Sequence, residues 1–284
     1  MLNVVKQVRA ALSLLNPDEV RKQAERRVTI GLVASSDRGY RELEDLLAPE
    51  DMAPAQRAAV LQDVYRAGQP GVPPHVDLVL YEHGLPCPRG AFRHRRAEEL
   101  DTVGEILHEH NDLALALARH FPLFRKPVVD RIVQAVSREN AFFAIATALP
   151  NVVPSLFELP WAFGEFASDT AFLTVNQIRM AFQIAAVCGA EVGLTHQKAE
   201  ILTIGAGAFG WRAIARELAG KIPLGGGLIP KGAIAYAGTF LVGKGLERYH
   251  HAAVAFTARE REEVYREGLE RGRSVAETLS REVG

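Results

Sequence analysis

Cysteine and tryptophan appear only twice each in 284 residues, and the charges almost cancel at a net −1. Each scarcity excludes something. Cys87 and Cys188 form no CxxC pair and have no metal-ligand spacing, so neither a thiolate metal site nor a redox dithiol is expected. Cysteine usage this sparse fits a reducing compartment. A near-neutral chain lacks the broad positive field of a general nucleic-acid binder, and no nucleic-acid partner is expected. The start, through Leu2, Lys6, Arg9 and Asn16, is charged early and carries no continuous apolar core of a secretory signal. It reads as an amphipathic helix interrupted at Asn16-Pro17-Asp18, with the chain on the cytoplasmic side.

Long hydrophobic runs are also missing. The longest uncharged stretch, Asn140 to Phe157, is broken by Pro150 and Pro154. Thr170 to Ala190 carries Arg179, Ile201 to Trp211 is short, and Ile222 to Gly243 carries Lys231 and three consecutive glycines. A lone span needs about 20 mostly apolar residues. These segments suit a packed bundle, re-entrant hairpins or interfacial helices better.

What is present divides the chain in two. Residues 28–34 and 76–82 are β-branched, apolar strands, with helices near 41–47 and 53–67 between them. That order predicts a small α/β unit with a parallel sheet. Residues 84–97 form a Pro/Gly loop that turns basic at Arg89, Arg93, His94, Arg95 and Arg96. Beyond it, prolines punctuate helices predicted at 99–120, 127–148, 168–192, 196–219, 230–252 and 257–281. The expected fold class is α+β, with a small α/β N-terminal unit followed by a larger all-α, Gly/Ala-rich bundle. The expected boundaries are an amphipathic segment at 1–27, the α/β unit at 28–125 and the helical module at 126–284. The last helix, rich in Glu and Arg, is expected to be solvated.

Helix 168–192 is the organising element. Ser168 or Asp169 is placed to cap it. Asn176, Arg179 and Gln183 fall on one stripe, and Thr170, Thr174 and Gln177 roughly opposite. Two opposed polar stripes on an apolar helix imply contacts on several sides. The polar groups either cross-link a bundle or line a path for a ligand or ion, and cross-linking is favoured. Small residues at Gly189–Gly193, Gly205–Gly210 and Gly238–Gly245 mark either close helix packing or loops.

Chemistry is hard to place. The loop after the first strand runs from Ala34 through Gly39 and Tyr40 to Arg41. A phosphate loop needs a glycine where Ala34 stands, a lysine where Tyr40 stands and Ser or Thr where Arg41 stands, and only Gly39 matches. Glu105, His108 and Asp112 share a helix face near Glu109 and His110. Without a paired second motif they read as a solvated face, and no metal is expected. No GxSxG is present, and neither cysteine has a base partner in sequence. No catalytic residue and no cofactor follow. The basic loop suits either anionic lipid headgroups or an ordinary solvated surface answered by Glu98, Glu99 and Asp101.

The run Ser168 to Gly189 resembles the core motif of the YcjF-like GTPase-associated helical family, through Asp169, Leu173-Thr174, Gln177-Ile178 and Met180. Residues 222–249 are similar to its second block, with Pro223, Pro230, Gly238-Thr239, Gly243 and Tyr249. The resemblance covers roughly 128–255. It implies membrane association, peripheral or integral at the inner membrane, and a GTPase context, and it supplies no catalytic residues. The N-terminal unit is similar to the start of an Era-like GTPase, stripped of its phosphate-binding side chains. Two functions are therefore expected to compete. One is a non-enzymatic scaffold that self-associates or partners a GTPase at a membrane. The other is a soluble enzyme or ligand-binding protein with a pocket at Thr174, Asn176, Gln177 and Arg179.

Overall fold

The computed structural model describes residues 15–94, 99–148, 169–204 and 227–283. The protein is α+β and mostly helical, with one small parallel sheet. Its contacts separate two compact units. One comprises Glu19–Val129 with Ala186–Ala190, and the other holds Asp130–Ala185 and the residues from Glu191 onward.

The first unit takes α1 (Pro17–Glu25) from Glu19 and continues through β1 (Ile30–Val33), α2 (Asp37–Leu47), α3 (Pro54–Leu61), β2 (Val64–Arg66), β3 (Leu78–Tyr81) and β4 (Phe92–Arg93). The strand order is β2-β1-β3-β4, all parallel. Ile30 pairs with Val64 on one side and with Leu78 on the other. Ile30, Leu32, Leu78 and Leu80 are buried, so the central strands carry the apolar core that their composition requires.

The expected β1 and β3 are present, and two short strands were not foreseen. β2 lies at the end of the stretch read as helix 53–67. Its three residues are too few to show an alternation, and helix-forming Gln, Arg and Ala precede them. β4 lies inside the basic Pro/Gly loop. Phe92, 3% exposed, supplies its only large apolar anchor. The predicted helix 99–120 is broken into α4 (Glu99–Glu109), a 3-10 turn at Asn111–Leu113, and α5 (Ala114–His120).

In the second unit, α6 (Pro122–Ala146) contributes its residues from Asp130, and α7 (Asp169–Val187) contributes those up to Ala185. They are joined by α8 (Leu228–Ala252) and α9 (Ala258–Val283). Pro230 sits in the first turn of α8, where its missing N–H leaves no bond unmade. Phe143 of α6 stacks on Phe172 of α7 with ring centroids 4.0 Å apart. Lys244 of α8 donates to Asp130 of α6 at 2.6 Å and to Glu247 at 2.8 Å.

The charged terminal helix is solvated on one face only. Tyr265, Gly268, Gly272, Ala276 and Leu279 recur at helical spacing and are buried. A methyl group added at Gly272 would stand 2.9 Å from the Ala233 carbonyl oxygen and 2.9 Å from the Tyr236 Cβ. The backbones of α8 and α9 therefore approach closely, and the two glycines permit it. A capping box starts α9. The Thr257 hydroxyl faces the Glu260 N–H, and the Glu260 carboxylate accepts from the Thr257 N–H at 2.8 Å. That N–H bond, with Arg248, holds the Glu260 carboxyl down to about 2.

The small-residue segments divide between their two readings. Gly189 lies in a turn after α7 with φ 80°, a left-handed conformation suited to a helix end. Gly243 is inside α8, where an added Cβ would meet Val133 at 2.6 Å. Gly205–Gly210 and most of the predicted helix 196–219 lie outside the described residues, of which 198–204 are helical. By sequence propensity, Gly272→Ala gains about 1 kcal/mol. Packing reverses the sign, and the variant is expected to lose about 1–3 kcal/mol in urea unfolding. Unchanged or increased stability would contradict the close approach.

Candidate functional site

An open parallel sheet offers its ligand site outside the carboxyl ends of the strands, where successive connections leave in opposite directions. Here the chain leaves β1 for β2 on one side and returns to β3 on the other, so that position lies between β1 and β3. The loop Ala34–Asp37 leaves β1 there, and Glu82 follows β3.

Glu82 spans the gap. Its Oε2 accepts from the Ser35 N–H at 2.6 Å and from the Ser35 hydroxyl at 2.7 Å. The Glu82 N–H donates to the Val33 carbonyl at 2.9 Å, continuing the ladder one residue past the strands. The carboxylate rests against the first turn of α2. A Cβ added at Gly39 would fall 2.5 Å from its carboxyl carbon. The bonds from Ser35 hold the Glu82 carboxyl below its ordinary value. Ser36 caps α2 by accepting from the Gly39 N–H at 3.2 Å.

Gly39, the one residue of the loop that matches a phosphate-binding pattern, thus makes room for the protein's own carboxylate. Tyr40, at the lysine position, donates its hydroxyl to the Ala67 carbonyl at 3.3 Å, and Arg66 lies over its ring. Arg66 is itself held by Glu44 through two bonds of 2.6 and 2.8 Å. Arg41 is exposed. Glu82 and Arg66 escaped the sequence reading because a Glu closing a strand and an Arg at the end of an apparent helix carry no motif.

The opposite edge of the same strand pair has a matching clamp. Asp77 Oδ2 accepts from the Thr29 N–H and hydroxyl, each at 2.8 Å. Burial opposes the Asp77 charge, but the two Thr29 bonds and Arg26 outweigh it and the carboxyl lies below its ordinary value.

The polar residues of α7 meet partners on two other helices. Asn176 Nδ2 donates to Asn140 Oδ1 at 2.9 Å and to Glu139 Oε2 at 3.0 Å. Arg179 donates to the same Glu139 oxygen at 2.5 Å. Asn140 Nδ2 donates to Thr239 Oγ1 at 2.7 Å, and Gln177 Nε2 reaches that oxygen at 3.3 Å. The Thr239 hydroxyl donates in turn to the Ala235 carbonyl at 2.9 Å. Asn140, Asn176 and Thr239 are fully buried, and Thr174 is buried nearby in sequence. Asp169 begins α7. The network binds α6, α7 and α8 together, and leaves the Asn176 Oδ1 buried without a hydrogen-bond partner among the described residues. Neither Asn140, which directly follows Arg138-Glu139, nor Thr239, a lone polar residue in an apolar run, is marked by the sequence as a partner of α7.

On the helix face read as solvated, Glu105 and His108 are exposed and Asp112 accepts from Arg26 at 3.0 Å. Among the described residues, no group of three or more His, Cys, Asp or Glu is arranged to hold a metal ion. Also among them, no helix is long and apolar enough to cross a membrane. Compared with protein-family models, curated proteins and solved structures, the chain matches none of them.

Two outcomes are expected. Thr239→Val removes the acceptor of both Asn140 and Gln177 and should cost about 2 kcal/mol or more, read by urea unfolding; a neutral result would mean the network does not hold the bundle. The second concerns pH. Asp77 and Glu82 both have folded values below ordinary, so their stabilisation is present above the unfolded carboxylate range near pH ~4 and is lost as pH falls through and below it. The double variant Asp77→Asn, Glu82→Gln should flatten the acid limb of melting temperature against pH, and an unchanged limb would refute the clamps.

Proposed function

We propose that the protein is a non-catalytic scaffold. Its GTPase-like α/β unit keeps the phosphate-facing edge of the sheet closed, and its helical module serves association with a membrane-bound GTPase or with a second copy of the chain. The observation that carries this reading is the Glu82 carboxylate bonded to Ser35 and pressed on the first turn of α2, where a nucleotide phosphate would compete with a like charge. The resemblance of residues 128–255 to GTPase-associated helical domains supplies the partner class and the inner-membrane setting. Close backbone approach at Gly268 and Gly272, and tight side-chain packing on Gly243, are the packing expected of such a module.

The competing reading, a ligand pocket around α7, has to recruit Asn176, Gln177 and Arg179. Those groups are already engaged with Asn140, Glu139 and Thr239, so a ligand would have to break bonds that hold three helices.

The test pairs two measurements on the full chain. Fluorescent GTP with magnesium should show no saturable binding, and Glu82→Ala should not restore it, since Tyr40 and Arg41 stand where the lysine and hydroxyl are needed. Sedimentation, alone and with inner-membrane vesicles, should show self-association or vesicle capture. Saturable magnesium-dependent GTP binding would defeat the closed head. A monomer that ignores vesicles would defeat the association role.

A further inference from the structure

Apart from the sheet edge, the first unit holds a cavity of about 420 Å³ between α3, the end of α5, the start of α6 and the turn after α7. Gln56, Val60, Arg119, His120, Arg125 and Cys188 line it, and no carboxylate does. Its two guanidinium groups are anchored by backbone carbonyls instead of acids. Arg119 Nη1 donates to the Ala186 carbonyl at 2.9 Å and to the Ala190 carbonyl at 3.1 Å, which fixes the turn carrying Cys188. Arg125 Nε makes only a long contact, 3.5 Å, to the Ala118 carbonyl. Neither arginine has a carboxylate partner among the described residues, and the terminal nitrogens of Arg125 make no bond there.

That arrangement is unusual for this chain. Arg27, Arg57, Arg66, Arg179 and Arg248 all face a carboxylate. Two half-buried guanidiniums left unneutralised in one concavity create a positive field focused by the apolar walls at Val60 and Pro122. His120 registers the field. Burial first, and then the charge of Arg119, push its imidazole below the ordinary value, against a smaller opposing pull from Asp63. Carbonyl anchoring positions a guanidinium without cancelling its charge. The free edges of the fork are then available to an anion with several oxygens, which it matches better than it matches a single point charge.

We propose that this cavity binds a phosphate group, with Arg125 and Arg119 as its donors and the Gln56 amide as a third. The group is carried either by a small phosphate ester or by an anionic lipid headgroup. The proposal does not depend on the scaffold reading, because a free ester would bind a protein with or without membrane partners.

Isothermal titration of the full chain with inorganic phosphate reads the site directly. Co-sedimentation with phosphatidylcholine vesicles, with and without phosphatidic acid, separates the two sources. Arg125→Gln removes the donor that contributes least to the fold. Ala59→Glu places a carboxylate on an exposed lining position of α3 and keeps both arginines. Each should weaken phosphate binding by about tenfold or more while melting temperature and circular dichroism stay at wild-type values. Phosphate binding without vesicle capture assigns a free ester. Capture of phosphatidic acid vesicles that both variants lose assigns a headgroup. The proposal is overturned if the wild type binds neither, or if both variants bind as the wild type does.

Discussion

The pairing of β1 with β3 is the constraint on which the first unit rests, and it is enforced at both ends by the same device. At the amino edge an aspartate after a proline-rich loop reaches the N–H and hydroxyl of Thr29, and at the carboxyl edge a glutamate reaches the N–H and hydroxyl of Ser35. Four-residue strands make few ladder bonds, so a one-residue slip would otherwise be inexpensive. Such a slip would break every one of these clamp bonds at once. They also bring acids to strand ends, where the charge stays near solvent and the desolvation penalty is small.

The second unit solves its register problem in another way. Its helices are rich in alanine and glycine, and smooth surfaces of that kind slide and rotate easily. A buried polar chain through Glu139, Asn140, Asn176, Gln177 and Thr239 makes its bonds in one alignment of α6, α7 and α8. Any other alignment leaves amides unpaired in an apolar surrounding, at about 1–3 kcal/mol each. Gly268 and Gly272 give α9 a seat on α8 that larger residues would deny. The helix pair then gains dispersion contacts along its length, which offset the glycines' weak helix propensity.

Much of this was legible in the sequence because periodicity is a strong signal over long segments. The β-branched runs gave β1 and β3, and the apolar repeat gave α7 and α8 within a few residues. The α+β class followed from the order of these segments. Short elements escaped for a physical reason: β2 and β4 have three and two residues, so pairing with a neighbour creates them and no local pattern announces them. The amphipathic character of α9 was masked by charge. Its apolar stripe is made of glycine, alanine, one tyrosine and one leucine, and hydrophobicity alone does not mark glycine as buried. The loop after β1 lacks the lysine and hydroxyl of a phosphate loop in its sequence alone. What fills the space lies 43 positions beyond Gly39, and only the parallel register of β3 on β1 carries Glu82 there.

Closure of the sheet edge and the internal bonding of the helical network underlie the non-catalytic reading proposed above. A catalytic site keeps polar groups underused in its resting state, so that substrate or transition state can claim them. Most polar groups at these two places are bonded within the protein: Glu82 to Ser35, Tyr40 to Ala67, Arg66 to Glu44, and the Asn176 Nδ2 to Asn140 and Glu139, while the Asn176 Oδ1 is buried without a hydrogen-bond partner among the described residues. Satisfied polar groups make rigid, specific shape. The guanidiniums of Arg119 and Arg125 break this pattern, since they keep charge and donors in reserve within a concave surface. In the phosphate reading proposed above, it is this reserve of charge and donors that an anion would meet.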